Sequence, residues 1–122
     1  MRQIATNSAL IKELKENNAL LDAKMTGMNF STEPSGSFAV QLDFEPRKGS
    51  YKEKLRLEFH DIKEFAFYYD DTSAFYYLER YKLFPTTDGD YYLSMDPYDE
   101  VEGLSEEDQG VIRAKQISGI LL

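Results

Sequence analysis

The sequence predicts an α+β fold, in which an N-terminal helix packs on a mainly antiparallel sheet of about five to six strands. Two observations predict this class: a helical apolar stripe near the start of the chain, and repeated apolar and polar alternation from Phe38 onward. The chain has 122 residues and is 42% hydrophobic, which suits one core. We therefore expect residues 1–122 to form a single domain.

The helix is expected over residues 7–25. Four apolar residues at spacings of four, seven and four share one helical face: Leu10, Leu14, Leu21 and Met25. Asn7 or Ser8 can cap the start of this helix. Asn17 and Asn18 interrupt the apolar face, so the helix is expected to lie across the sheet rather than to pass through the core.

The clearest strand is expected over residues 38–45, where every second residue is apolar. A short strand is expected near residues 28–30. A further alternating run covers residues 55–60 and resumes at Phe65. Because the polar Asp61 stands where the alternation requires an apolar residue, we expect a bulge or a tight turn there.

A hairpin is expected between residues 75–84 and 91–96, because Asp88-Gly89 lies between two aromatic-rich runs and Gly89 can adopt a positive φ. The stretch 73–84 also fits a helical stripe, so helix and strand both remain open for it. Residues 111–122 are expected to form a final strand. This apolar strand is expected either in the interior of the sheet or paired with a second copy in a homodimer.

The composition excludes several classes of site. The chain has no cysteine, which excludes disulfides, thiolate metal sites and a cysteine nucleophile. It has one histidine, His60, expected on the polar face of a strand beside Glu58 as a surface ion pair. It has no glycine-rich phosphate loop. We therefore expect no catalytic residues, no metal and no cofactor, and the lack of a signal peptide or apolar span favours the cytoplasm.

The charge is unevenly distributed along the chain. Residues 1–69 carry ten basic and ten acidic side chains, whereas residues 70–122 carry four basic and twelve acidic ones. An acidic field repels nucleic acid and anionic lipid and attracts basic proteins. The sequence therefore predicts a basic protein partner, no nucleic acid and no membrane, although acidity that only keeps the protein soluble explains the pattern equally well.

The acidic part of the chain is also rich in tyrosine, since eight of the nine tyrosines fall between Tyr68 and Tyr98. Tyrosine beside carboxylates is typical of protein-binding surfaces. Alternation in the second arm of the hairpin directs Tyr91 inward and Tyr92 outward. The expected partner-binding residues are Tyr92, Asp96, Tyr98, Asp99, Glu100 and Glu102. The alternative is a small-ligand or metal-assisted enzyme that uses the carboxylates from Asp96 to Glu102 with Tyr92 or Tyr98 in a pocket between helix and sheet.

Three stretches carry a resemblance to known proteins: Asp88-Gly89-Asp90-Tyr91-Tyr92-Leu93-Ser94-Met95-Asp96-Pro97-Tyr98-Asp99-Glu100, the run from Leu55 to Ile62, and the run from Ile112 to Ile117. The likeness spans about the last two thirds of the chain. In these stretches the chain resembles the small acidic immunity proteins of bacterial toxin–immunity systems. The resemblance implies a non-enzymatic cytoplasmic protein that blocks the active cleft of a cognate toxin, often a basic nuclease.

Overall fold

The computed structural model describes residues 1–70 and 77–122. These residues form one helix and seven strands in the order β1 (Arg2–Thr6), α1 (Asn7–Glu16), β2 (Lys24–Thr32), β3 (Phe38–Glu45), β4 (Leu55–Ala66), β5 (Lys82–Pro85), β6 (Tyr91–Asp96) and β7 (Gln109–Leu121). The expected N-terminal helix and antiparallel sheet are confirmed. The expected count of five to six strands was too low, because the short β1, which the sequence analysis did not anticipate, also joins the sheet.

The last strand lies at the centre of the sheet. The main path of the sheet is β2-β3-β4-β7-β6-β5, and β1 also pairs with β7. One edge of β7 pairs with β4, and its other edge pairs with β6 at residues 109–114 and with β1 at residues 118–121. The interior position expected for this strand is confirmed. Since its edges are engaged in this way, a homodimer built on an exposed edge of the C-terminal strand is not supported.

One face of the sheet and α1 enclose the core. Leu10, Ile11 and Leu14 of α1 are buried against apolar side chains of the central strands. The strands contribute inward-facing apolar residues, including Leu42, Leu57, Phe59, Leu93, Ile112 and Ile117. In β7 the buried parity changes across Lys115 and Gln116, which are both exposed. Gly119 gives α1 room to approach, because a Cβ there would lie 2.5 Å from Leu10 Cδ1. Close packing of this kind makes the position sensitive to one added methyl group.

The helix ends earlier than the sequence predicted, at Glu16 rather than near residue 25. Asn18 and Asp22 have positive φ angles of 48° and 60°, which a continuous helix does not allow. The start is also different: Thr6 is the N-cap residue and makes no side-chain cap bond. Asn7 instead accepts a hydrogen bond from the Ile117 amide at 3.0 Å, so its side chain ties the helix start to β7.

The strand predicted over 38–45 is confirmed as β3 with the same bounds. The region 55–66 is one strand that contains the expected bulge, because Asp61 has a φ of 55° and the pairing with β7 shifts between Ile62 and Glu64. The strand expected near residues 28–30 is longer and covers Lys24–Thr32.

The expected hairpin is present as β5 and β6, and Gly89 in its turn has a φ of 87°. Its first arm is shorter than predicted and begins at Lys82. Tyr77 forms an isolated bridge with Lys24. For residues 73–84 the sequence left helix and strand both open. Residues 73–76 lie outside the described residues, and residues 82–84 belong to a strand. The capping-box pattern at residues 105–108 forms a turn.

The ten-residue α1 is far shorter than a bilayer-spanning helix, and none in the described part of the chain is long and apolar enough to cross a membrane.

Candidate functional site

A second, smaller apolar cluster lies on the sheet face opposite to α1, and it positions the candidate site. Phe84, Tyr92 and Val111 form this cluster on β5, β6 and β7, with the rings of Phe84 and Tyr92 5.1 Å apart between centroids. By strand alternation Lys82 shares this face with Phe84. Residues 96–108, called the acidic loop here, connect β6 to β7 and are anchored on this face by hydrogen bonds to Lys82 and Tyr92.

The anchor of the acidic loop is the carboxylate of Asp108. Its Oδ1 accepts hydrogen bonds from Lys82 Nζ at 3.1 Å and from the Tyr98 amide at 2.9 Å. Its Oδ2 accepts hydrogen bonds from the Tyr92 hydroxyl at 2.7 Å and from the Ser105 amide at 3.2 Å. One carboxylate therefore fixes the beginning and the end of the loop together, as in a compact Ω-loop.

Lys82 extends the same network into the middle of the loop. Its ammonium donates to the carbonyl of Gly103 at 2.9 Å and lies 3.1 Å from Asp99 Oδ1. The three central side chains are buried, with 5% of Lys82, 2% of Tyr92 and 8% of Asp108 exposed. A buried ion pair is stable only when its hydrogen-bonding capacity is satisfied, and this one is held by several charge-assisted bonds.

Burial and pairing act in opposite directions on the pKa values of the ion pair. Burial alone would raise the pKa of Asp108, but hydrogen bonds from Tyr92, Tyr98 and Lys82 outweigh it and leave the pKa below its usual value. Burial alone would lower the pKa of Lys82, but Asp108 and Asp99 hold it above its usual value. Burial and the hydrogen bond to Asp108 raise the pKa of Tyr92. All three groups therefore keep their ordinary charges near neutral pH.

The loop presents a strongly acidic surface. It contains seven carboxylates and no lysine or arginine: Asp96, Asp99, Glu100, Glu102, Glu106, Glu107 and Asp108. Asp108 is buried, Asp99 is half-buried, and the other carboxylates are exposed. Exposed carboxylates on a loop that is fixed from beneath form a negative field of defined shape, which suits recognition of a basic surface.

Five of the six residues predicted to bind a partner lie at the surface of this loop. Asp96, Tyr98, Glu100 and Glu102 are exposed, and Asp99 is half-buried by its ion pair with Lys82. Tyr92 is different. Its side chain does point away from the core, as predicted, but it is buried among the anchoring groups of the loop, so in this conformation it positions Asp108 and cannot touch a partner.

Two kinds of residue in the site were not predicted from the sequence. Lys82 and Asp108 form the anchor, and the only signal was a single lysine within an aromatic strand. Val101 and Leu104 are exposed apolar residues among the carboxylates, and they were missed because only tyrosines and carboxylates were taken as binding residues in this stretch. The loop surface is therefore acidic but not uniformly polar.

The geometry gives less support to the alternative of an enzyme or a metal site than to a binding surface. Glu100 and Glu102 line a cavity of about 310 Å³ with Lys15 and Phe84, but Tyr92 and Tyr98 do not line it. Within the described ranges, no three acidic or histidine side chains are grouped so that they could hold a metal ion. Lys15, Tyr81 and Lys82 also line this cavity, so the two predicted carboxylates lie beside groups other than the predicted tyrosines.

His60 lies apart from this loop. Its Nδ1 is 3.4 Å from Glu33 Oε1, in the connection between β2 and β3, so its partner is Glu33 rather than the predicted Glu58. The same Glu33 oxygen accepts a hydrogen bond from the Asp61 amide at 3.3 Å. Glu33 therefore connects the β2–β3 turn to the bulge in β4, and His60 lies beside it.

Comparison of the chain with protein-family models, curated proteins and solved structures found no match. The function is therefore inferred from the chemistry of this chain.

Proposed function

We propose that the protein is a non-enzymatic binding module that docks a basic protein through its acidic loop. The observation that supports this most directly is the buried Lys82–Asp108 pair, which holds a loop of exposed carboxylates in one conformation. Exposed carboxylates held in this way are presented to a partner at fixed positions. Ordering the loop in advance lowers the entropy cost of binding.

Within this proposal the partner is a basic domain such as a toxin nuclease, and the protein acts as its immunity protein in the cytoplasm of a bacterium. A nuclease cleft carries positive charge to hold phosphates, so an acidic loop of fixed shape competes for the same groups. The charge distribution and the resemblance in the hairpin and loop residues support this choice. The negative field also disfavours nucleic acid and anionic membranes as partners.

The test uses reversal of loop charges. A basic protein from the source organism that binds the chain is purified, and its association is followed by stopped-flow fluorescence at low and high salt. Asp96→Lys, Glu100→Lys and Glu102→Lys are combined in one variant, which leaves Asp99 and the anchor intact. We expect association at least roughly tenfold slower at low salt, with the difference shrinking at high salt because salt screens exposed charges.

The matched control reverses three exposed carboxylates outside the loop, Glu16, Glu45 and Glu53. It changes the net charge by the same amount, so it separates a local effect from a global one. Equal association rates for the loop variant and the wild type would refute the proposed function. If the partner is a nuclease, its cleavage of nucleic acid should be inhibited by an equimolar amount of the wild type and less by the loop variant.

A further inference from the structure

Three exposed apolar side chains interrupt the acidic loop. Tyr98 is 60% exposed, Val101 is 68% exposed and Leu104 is 55% exposed. Single exposed apolar residues are common on protein surfaces, but here three occur at intervals of three residues in one short loop. In a solubilising segment such residues would serve no purpose.

The loop anchor brings the two ends of the loop together. The amides of Tyr98 and Ser105 donate to the two oxygens of Asp108, so Tyr98 and the neighbouring Leu104 lie at the two closed ends of the loop. Val101 lies midway between them, and its amide donates to Asp99 Oδ1 at 3.2 Å. Because Asp99 in turn pairs with Lys82, all three apolar residues are on backbone held by the buried ion pair.

We infer that Tyr98, Val101 and Leu104 are the affinity anchors of the docking surface, and that the partner presents an apolar recess ringed by lysine or arginine. The carboxylates on either side of these residues form the rim. Protein interfaces commonly combine an apolar centre, which carries most of the affinity, with a charged rim, which mainly sets the rate of encounter. The charge complementarity of the rim specifies a basic protein as occupant. This inference rests on the proposed docking function of the same loop.

The test needs a probe that is both apolar and basic, and matched probes that lack either the apolar or the basic residues. A fluorescently labelled amphipathic peptide of leucine and lysine serves as the probe. In one control peptide serine replaces every leucine, and in another glutamate replaces every lysine. Binding to the full chain is measured by fluorescence anisotropy. The leucine–lysine peptide should bind more tightly than the serine–lysine peptide, and the leucine–glutamate peptide should bind weakest.

The variants divide the surface into its two parts. Val101→Ser combined with Leu104→Ser should weaken binding of the leucine–lysine peptide by roughly tenfold or more and leave its salt dependence unchanged. Glu100→Gln combined with Glu102→Gln should reduce the salt dependence. The control is Phe38→Ser, since Phe38 is 59% exposed on β3, away from the loop, and should bind as the wild type does.

The outcomes distinguish the apolar anchor from the charge-based docking proposed above. If the serine variant binds as tightly as the wild type while the glutamine variant binds more weakly, the apolar anchor is refuted and the proposed charge-based docking stands. If neither salt nor the glutamine variant alters binding, the proposed function fails. Amide spectra of each variant establish that the fold is retained, and a serine variant that binds normally while folded overturns the inference.

Discussion

The ammonium of Lys82 and the carboxylate of Asp108 lie 3.1 Å apart beneath the acidic loop, although 26 residues separate them in the chain. Their side chains are almost entirely withdrawn from solvent. The exposed carboxylates of the acidic loop are therefore held in position by a buried ion pair. This relationship determines the first three predictions.

Asp108→Asn is expected to lower the free energy of unfolding by about 3–5 kcal/mol, because it leaves the buried Lys82 without its main counter-charge. Urea denaturation followed by circular dichroism measures this loss. Asp88→Asn, at an exposed position in the β5–β6 turn, is the control and should change stability by less than about 0.5 kcal/mol. The double variant with Lys82→Met should lose less than the sum of the two single losses. Additive losses would contradict direct coupling of the pair.

The stabilisation from this ion pair should depend on pH at both extremes. The pKa of Asp108 is lowered in the folded state, so its contribution is complete above about pH 4, the unfolded value, and is lost as the pH falls through the folded value. The pKa of Lys82 is raised, so its contribution is complete below about pH 10 and is lost as the pH rises through the folded value. Chemical denaturation at a series of pH values tests both limbs. Asp108→Asn should flatten the acid limb, and an unchanged limb would count against this assignment.

Tyr92→Phe is expected to cost about 1–2 kcal/mol, because the buried carboxylate of Asp108 loses the hydroxyl that lies 2.7 Å away. The amides of Tyr98 and Ser105 should also exchange with solvent faster, since the carboxylate that holds them is less constrained. Tyr98→Phe is the matched control, and its exposed ring predicts a change below about 0.5 kcal/mol. Equal losses for the two variants would mean that the buried hydroxyl contributes no more than an exposed one.

Gly119→Ala is expected to destabilise the fold by about 1–3 kcal/mol, because the added methyl group would meet Leu10 Cδ1 at 2.5 Å and force this buried side chain out of its packed position. Gly27→Ala is the control in β2, where the nearest atoms to a new Cβ belong to Asp43 and lie 3.9 Å away. Thermal unfolding compares the two. A Gly119→Ala protein as stable as the wild type would show that the Leu10 side chain can repack without loss.

The parts of the fold that the sequence predicted best are those set by local pattern. The alternation of apolar and polar residues defines β3 from residue 38 to 45 without help from other elements. Asp61 marks the bulge because it is polar where the alternation of its neighbours requires an apolar residue. The end of α1 was placed too late because the apolar spacing continues beyond it. The backbone turns at Asn18, and Leu20 is buried by tertiary packing rather than by a helical face.

The candidate site was predicted in its chemistry but not in its construction. A cluster of carboxylates and tyrosines is visible in the sequence, and most of these residues do lie on the surface of the loop. The burial of Tyr92 could not be predicted, because it depends on a loop that folds back over its strand. The pairing of Lys82 with Asp108 is equally invisible to local pattern, since it depends on the register of β5, β6 and β7.

The central position of β7 has a consequence for how the chain acquires its structure. Its three pairing partners, β1, β4 and β6, all precede it in the chain, so during synthesis each of them emerges from the ribosome before the strand that joins them. The pairing of Arg2 with Leu121 connects residues almost the whole sequence apart. Sheets closed by such distant contacts fold slowly compared with locally connected ones. Completion of the sheet is therefore expected to follow translation of β7 and to be the slow step of folding.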